Sequence, residues 1–81
     1  MRTVSGDDAV VGSIGVLTTA TRGKAGPGEV RISVRGGSET FMAWSAEPLP
    51  RGATVLVIES HGTRSVHVAA WADPVHDFPG R

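Results

Sequence analysis

The 81-residue chain contains no cysteine. That excludes disulfide staples, thiolate zinc sites and a cysteine nucleophile. Lysine is nearly absent as well: seven of the eight basic residues are arginine, and Lys24 is the exception. Neither sign of charge is in excess, because Lys+Arg 8 balances Asp+Glu 8, so the chain as a whole is neutral rather than basic. Aromatic residues are limited to two Trp and two Phe. No apolar run approaches the roughly 18 residues of a membrane span, and the first residues lack a signal-peptide pattern. A soluble cytoplasmic protein is the default expectation. No segment sustains helical periodicity.

What is present points to β-structure. Hydrophobic residues at 40% and charged residues at 20% suit one ordinary folded domain. A chain this short hides roughly two-thirds of its unfolded surface, enough for one small core. Gly 11 and Pro 5 punctuate the chain at short intervals, and β-branched residues fill the gaps. That combination argues for an all-β domain with tight turns.

Residues 1–9 are polar, include Gly6 and the pair Asp7-Asp8, and read as a flexible lead-in. Residues 10–21 read as a long first strand that bends at Gly12 or Gly15. Residues 22–28 form a loop with two positive charges. Val30, Ile32 and Val34 then alternate with Glu29, Arg31, Ser33 and Arg35, which predicts a second strand with one buried and one wet face. Gly36-Gly37 signals a two-residue hairpin into a third strand over residues 39–46. There Phe41, Ala43 and Ser45 oppose Met42, Trp44 and Ala46, with bulk on both faces. Pro48 and Pro50 break the sheet. The continuous apolar run from Thr54 to Glu59 is consistent with a fourth strand covered on both sides, His61-Gly62-Thr63 with a turn, and residues 65–70 with a fifth strand. Residues 71–81, with Pro74 and Pro79, read as an extended tail. Five strands within residues 10–70 suit a closed barrel, since an open sheet would leave long apolar edges. The expected architecture is a five-stranded OB-type barrel with short turns and extended termini, its usual helix between strands three and four reduced to the Pro-rich turn. An SH3-like barrel is the nearest competitor.

Three pieces resemble the C-terminal soluble domain of NfeD-like proteins. The first is Val11-Gly12-Ser13-Ile14-Gly15-Val16. The second is Gly28-Glu29-Val30-Arg31-Ile32, leading through Gly36-Gly37 to Phe41-Met42-Ala43-Trp44-Ser45. The third runs from Leu49-Pro50-Arg51-Gly52-Ala53 into Thr54-Val55-Leu56-Val57-Ile58, then Gly62 and Ser65-Val66-His67-Val68. The resemblance spans roughly residues 10–70. It implies a five-stranded OB-fold that usually hangs from a membrane-embedded segment, and association with stomatin- and flotillin-like membrane scaffold proteins. Some longer relatives carry a serine protease domain, whose residues are not among these 81.

Several patterns bear on function. Gly23-Lys24-Ala25-Gly26-Pro27-Gly28 lacks the Gly-Lys-Ser/Thr ending and following helix of a phosphate loop, so it reads as a solvated connector. Arg22, Lys24, Arg31 and Arg35 face only Glu29 between residues 22 and 35, a local charge of +3 that leaves −3 for the rest. On an OB barrel this is the side where oligonucleotides bind, and Trp44 and Phe41 are the candidates to stack a base, one of them being expected in the core. The plainer alternative is a solvated strand face with cross-strand partners such as Glu39. His61, His67 and His76 are scattered and lack an obvious third ligand, so no metal is expected. Ser65, His67 and Asp73 could be written as a triad, yet nothing supplies a nucleophile elbow, so no catalytic site is expected. No cofactor is expected. Trp71, with Val75 and Phe78, either caps a barrel end or docks a partner.

The sequence therefore predicts a non-catalytic interaction or assembly module, binding through Arg31, Arg35, Met42, Trp44, Trp71 and Phe78. The partner expected from the resemblance is a stomatin- or flotillin-type scaffold or a further copy of the chain. Any place at the membrane would be peripheral and through a partner. The alternative is single-stranded nucleic-acid binding through Arg22, Lys24, Arg31, Arg35 and Trp44.

Overall fold

The computed structural model describes residues 10–34 and 36–71. The expected lead-in, the tail beyond Trp71, and Arg35 lie outside the described residues. Five strands, β1 (Ile14–Thr19), β2 (Gly28–Val34), β3 (Gly37–Trp44), β4 (Thr54–Gly62) and β5 (Ser65–Ala70), close into a barrel in the order β1-β2-β3-β5-β4. All pairings are antiparallel except β3 with β5, which run parallel. This order and the parallel closing pair are those of an OB-type barrel, and the expected fold class stands.

The barrel forms because alternate side chains on every strand point to one axis. Val30 and Ile32 on β2 meet Leu17 on β1 and Phe41 on β3, and Val57 on β4 meets Val68 on β5. Leu17, Val30, Ile32, Phe41, Ala43, Val55, Val57, Val66 and Val68 are all buried, and Val10 adds to the cluster from a turn before β1. Of the two aromatic residues on β3, Phe41 is the core residue at 2% exposure. Met42 is exposed and Trp44 half-buried, so the inward face of β3 carries Phe41, Ala43 and Ser45.

Two glycines are required by close approach. A Cβ on Gly15 would sit 2.7 Å from the Arg31 carbonyl oxygen, and one on Gly28 would sit 2.2 Å from that of Thr19. Gly15 therefore lets β1 lie tightly on β2, and Gly28 lets the start of β2 close against the end of β1.

Several boundaries differ from expectation. The first strand begins at Ile14, and its irregularity falls between Leu17 and Thr19 rather than at Gly12 or Gly15. The loop at residues 22–28 holds a 3-10 turn at Gly23–Ala25, and Gly23, Gly26 and Gly28 are buried, so it is more than a solvated connector. The hairpin after β2 starts one residue early, because Val34 pairs directly with Gly37. The fourth strand is covered on one side only. Its register slips between Val57 and Glu59, and Ile58 is left exposed. His61 lies on β4 and not in the turn, which is made by Thr63 and Arg64 with φ of 53° and 57°.

No helix joins β3 to β4. A knot of hydroxyls does that work. Thr21 Oγ1 and Ser45 Oγ lie 2.6 Å apart, and Ser45 Oγ lies 2.6 Å from the Glu47 carbonyl oxygen. Thr21 Oγ1 also lies 3.4 Å from the Glu47 carbonyl, so one hydroxyl proton bridges the two side-chain oxygens and the other goes to that carbonyl. Thr21 Oγ1 accepts in turn from the Leu49 N–H at 2.9 Å, and the Thr21 N–H donates to the Leu49 carbonyl. The Pro-rich connection is thereby bolted to the end of the first connection.

Candidate functional site

Two regions of the barrel surface have distinct chemistry. The first is the cleft where OB-folds usually bind, between the β1–β2 connection, the β4–β5 turn and the faces of β2 and β3. It is lined by Pro27, Glu29, Thr40, Met42, Thr63 and Arg64, among others. Arg64 is held there by several groups. It bonds Glu39 at 3.0 Å and the Thr40 carbonyl at 2.9 Å, and it lies 4.7 Å over the Phe41 ring. The Phe41 ring is covered by this guanidinium and is unable to stack a base.

Of the expected basic cluster, Arg31 projects outward from β2 and donates to Ser38 Oγ at 3.1 Å. Its neighbour is thus Ser38, while Glu39 pairs with Arg64. Arg22 and Lys24 are exposed in the first connection, and the Arg22 side chain folds over Gly26. Arg35 and Phe78 lie outside the described residues.

The second region is the outer face of β1 and β4, continued onto β5. Ile14 pairs with Leu56, and Leu56 with Ala69. In the next row Val16 pairs with Thr54, and the Trp71 N–H donates to the Thr54 carbonyl at 2.9 Å. Ile14, Val16, Ile58 and Trp71 are each 40–47% exposed. No charged side chain stands in either row until Arg31, which pairs with Val16 from the β2 side. Clustered exposed apolar side chains of this kind make the face a candidate interaction surface.

The expected partner-binding set is therefore divided. Arg31 and Trp71 fall at opposite ends of one row, with Val16 and Thr54 between them. Met42 is opposite Glu29, and Trp44 is opposite His67, away from that row. Sequence reasoning missed Ile14, Val16, Leu56 and Ile58. The signal was available in β1, where Ile14 and Val16 alternate with the inward Leu17 phase, but a glycine-rich strand offers little contrast between its faces.

The histidine expectations have a mixed outcome. His61 and His67 bring their rings to 6.1 Å, and His61 Nε2 lies 3.6 Å from Glu59. Among the described residues no group of three His, Cys, Asp or Glu side chains gathers to hold a metal ion. His76 and Asp73 lie outside the described residues, so the written triad reduces to Ser65 and His67, which share the outward phase of β5.

With this geometry in place, comparison with known proteins is decisive for family. The sequence profile of the NfeD C-terminal domain matches residues 14–69. The chain belongs to the NfeD C-terminal domain family. The resemblance drawn from the three sequence pieces stands. Among solved structures, this NfeD domain is similar to the soluble domain of the NfeD protein YuaF from Bacillus subtilis. The two share 30% identity over 78% of this chain and 75% of the other, with a TM-score of 0.66. It also shares the fold of the C-terminal domain of stomatin operon partner protein 1510-C from Pyrococcus horikoshii. There the identity is 22% over 86% of this chain and 100% of the other, with a TM-score of 0.60. A search of curated proteins found no match. No helix among the described residues is long and apolar enough to cross a membrane.

Proposed function

We propose that this NfeD domain is a non-catalytic docking module whose partner is a stomatin-type membrane scaffold protein. The observation that carries the reading is the pair of uncharged rows across β1 and β4, Ile14 with Leu56 and Val16 with Thr54, with Ile58 exposed beside Glu59 and Trp71 at the margin. Cores of protein interfaces are depleted in charge and enriched in aromatic anchors, and arginine is favoured around them. Arg31 stands at the opposite end of the Trp71 row and fits that pattern. Family membership supports the choice of partner, as does the name of the Pyrococcus horikoshii relative, a stomatin operon partner. In this reading the domain is held at the membrane surface through its partner.

The test is titration calorimetry of the 81-residue chain against a stomatin-family scaffold protein from the same genome. Binding that changes little between 50 and 300 mM salt is expected, because apolar docking releases few counterions. Val16→Glu should weaken it at least tenfold. Absence of binding, or indifference to Val16→Glu, would overturn the reading. A parallel titration with a single-stranded oligonucleotide covers the other reading. Affinity there that falls steeply with salt and depends on Arg22, Lys24 and Arg31 would move the function to nucleic acid.

A further inference from the structure

We infer that the barrel has an open seam along β5 at Val68, Ala69 and Ala70, and that it accepts an extended segment of a partner protein as an added strand. The inference does not depend on the outer-face docking reading, because it rests on backbone groups; the two surfaces meet at Ile58 and Ala69.

The seam follows from the pairing. β3 and β5 run side by side only from Met42↔Ser65 to Trp44↔His67. β3 then ends and the chain turns away through Ser45, Ala46 and Glu47, while β5 continues to Ala70. The phase of β5 is set by the bond from the Trp71 N–H to the Thr54 carbonyl. In an antiparallel ladder, alternate opposed pairs exchange hydrogen bonds. Ala69, opposite Leu56, therefore aims its amide groups at β4, as Trp71 does. Ala70, opposite Val55, and Val68, opposite Val57, aim theirs the other way, to the side β3 has left. Among the described residues, no backbone partner meets the Ala70 N–H or the carbonyls of Val68 and Ala70 on that side.

A groove of about 270 Å³ lies along this edge. One wall is Ser45, Ala46, Glu47 and Leu49; the floor and opposite wall are Ala69, Ala70, His67 and Ile58. Unpaired amides and carbonyls at strand spacing specify the occupant's chemistry, since the group that complements them is another extended backbone. The walls specify it further. Ala69 and Ala70 leave room for side chains on the incoming strand, and Leu49 and Ile58 favour apolar ones. The seam of a second copy would be held off by the walls formed by residues 45–49 of both copies. A free extended segment meets no such obstacle.

The experiment is amide NMR on the whole chain with an acetylated and amidated Thr-Val-Ala-Val-Thr peptide as probe. Shifts are expected at residues 68–70 and 46–49, with at least tenfold slower exchange of the Ala70 N–H at saturation. Ala70→Pro removes that donor at a strand position where it bonds nothing in the barrel, a site that tolerates proline. It should abolish the response. Ala69→Arg keeps the donor and fills the groove, and it should weaken binding at least tenfold with an unchanged melting temperature. Val16→Glu should leave the peptide response intact, which separates this seam from the outer face. Three results would overturn the inference. These are no shifts at millimolar peptide, shifts confined to β1 and β4, and an Ala70 N–H already protected in the peptide-free chain. In the last case residues 72–81, or a further copy if protection is lost on dilution, fill the seam instead.

Discussion

The cleft side of the barrel and the β1–β4 side are built by the same alternation, yet they present opposite chemistry. On the cleft side, polar groups already have neighbours: Arg31 bonds Ser38, and Arg64 bonds Glu39 and the Thr40 carbonyl while covering Phe41. A ligand arriving there must displace existing contacts or bind beside them. On the β1–β4 side, Ile14, Val16 and Ile58 are exposed with no internal partner to give up. Burying them gains roughly 25 cal/mol for each Å² of apolar surface removed from water. The comparison teaches that polar groups on a barrel face are a poor guide to binding when neighbours in the fold already hold them.

Four experiments sharpen or break this contrast. The largest effect should come from the layer beneath both sides. Phe41→Ala empties the core under Arg64 and should cost about 3–5 kcal/mol in chemical denaturation; a loss under 1 kcal/mol would mean the two sides do not share one core. Next, Thr21→Val removes the Ser45 hydroxyl's partner and leaves the Leu49 N–H without its acceptor, for a loss of about 1–3 kcal/mol. Third, Val16→Glu should reduce partner affinity at least tenfold, about 1.4 kcal/mol, with little change in melting temperature, whereas Arg31→Ala should have a smaller effect at the margin of the face. Smallest of all, Arg64→Ala should cost about 1 kcal/mol or less, since its ion pair with Glu39 is exposed and screened. Its loss should shrink with added salt. An Arg64 effect larger than that of Val16 on partner binding would reverse the assignment of the two sides.

The sequence was most legible where alternation was clean. In β2, Val30 and Ile32 are inward and Arg31 and Ser33 outward, as the period of two requires. β4 was misread because Val55, Leu56, Val57 and Ile58 are all apolar, which looks like burial on both sides. A register slip after Val57 and an uncovered outer face give the same pattern with half the burial. The hairpin after β2 was shifted because either neighbouring glycine could serve a tight turn. On the functional side, Trp71 and Arg31 were picked out as single residues. Their shared row came from pairing across β1 and β4, which a one-dimensional reading does not contain. The open seam was likewise invisible, because it depends on where β3 stops relative to β5 and not on any side chain.

The hydroxyl knot at Thr21 and Ser45 constrains how such a domain can drift. The two residues are 24 positions apart in the chain yet hold each other's proton arrangement in place. Replacing either alone strands the other, and exchanging both for a hydrophobic pair would still orphan the Leu49 amide. Loss of a hydroxyl at either position therefore costs stability, whereas a Ser–Thr exchange keeps the bonds. A lineage that acquired the missing helix between β3 and β4 would be released from that constraint.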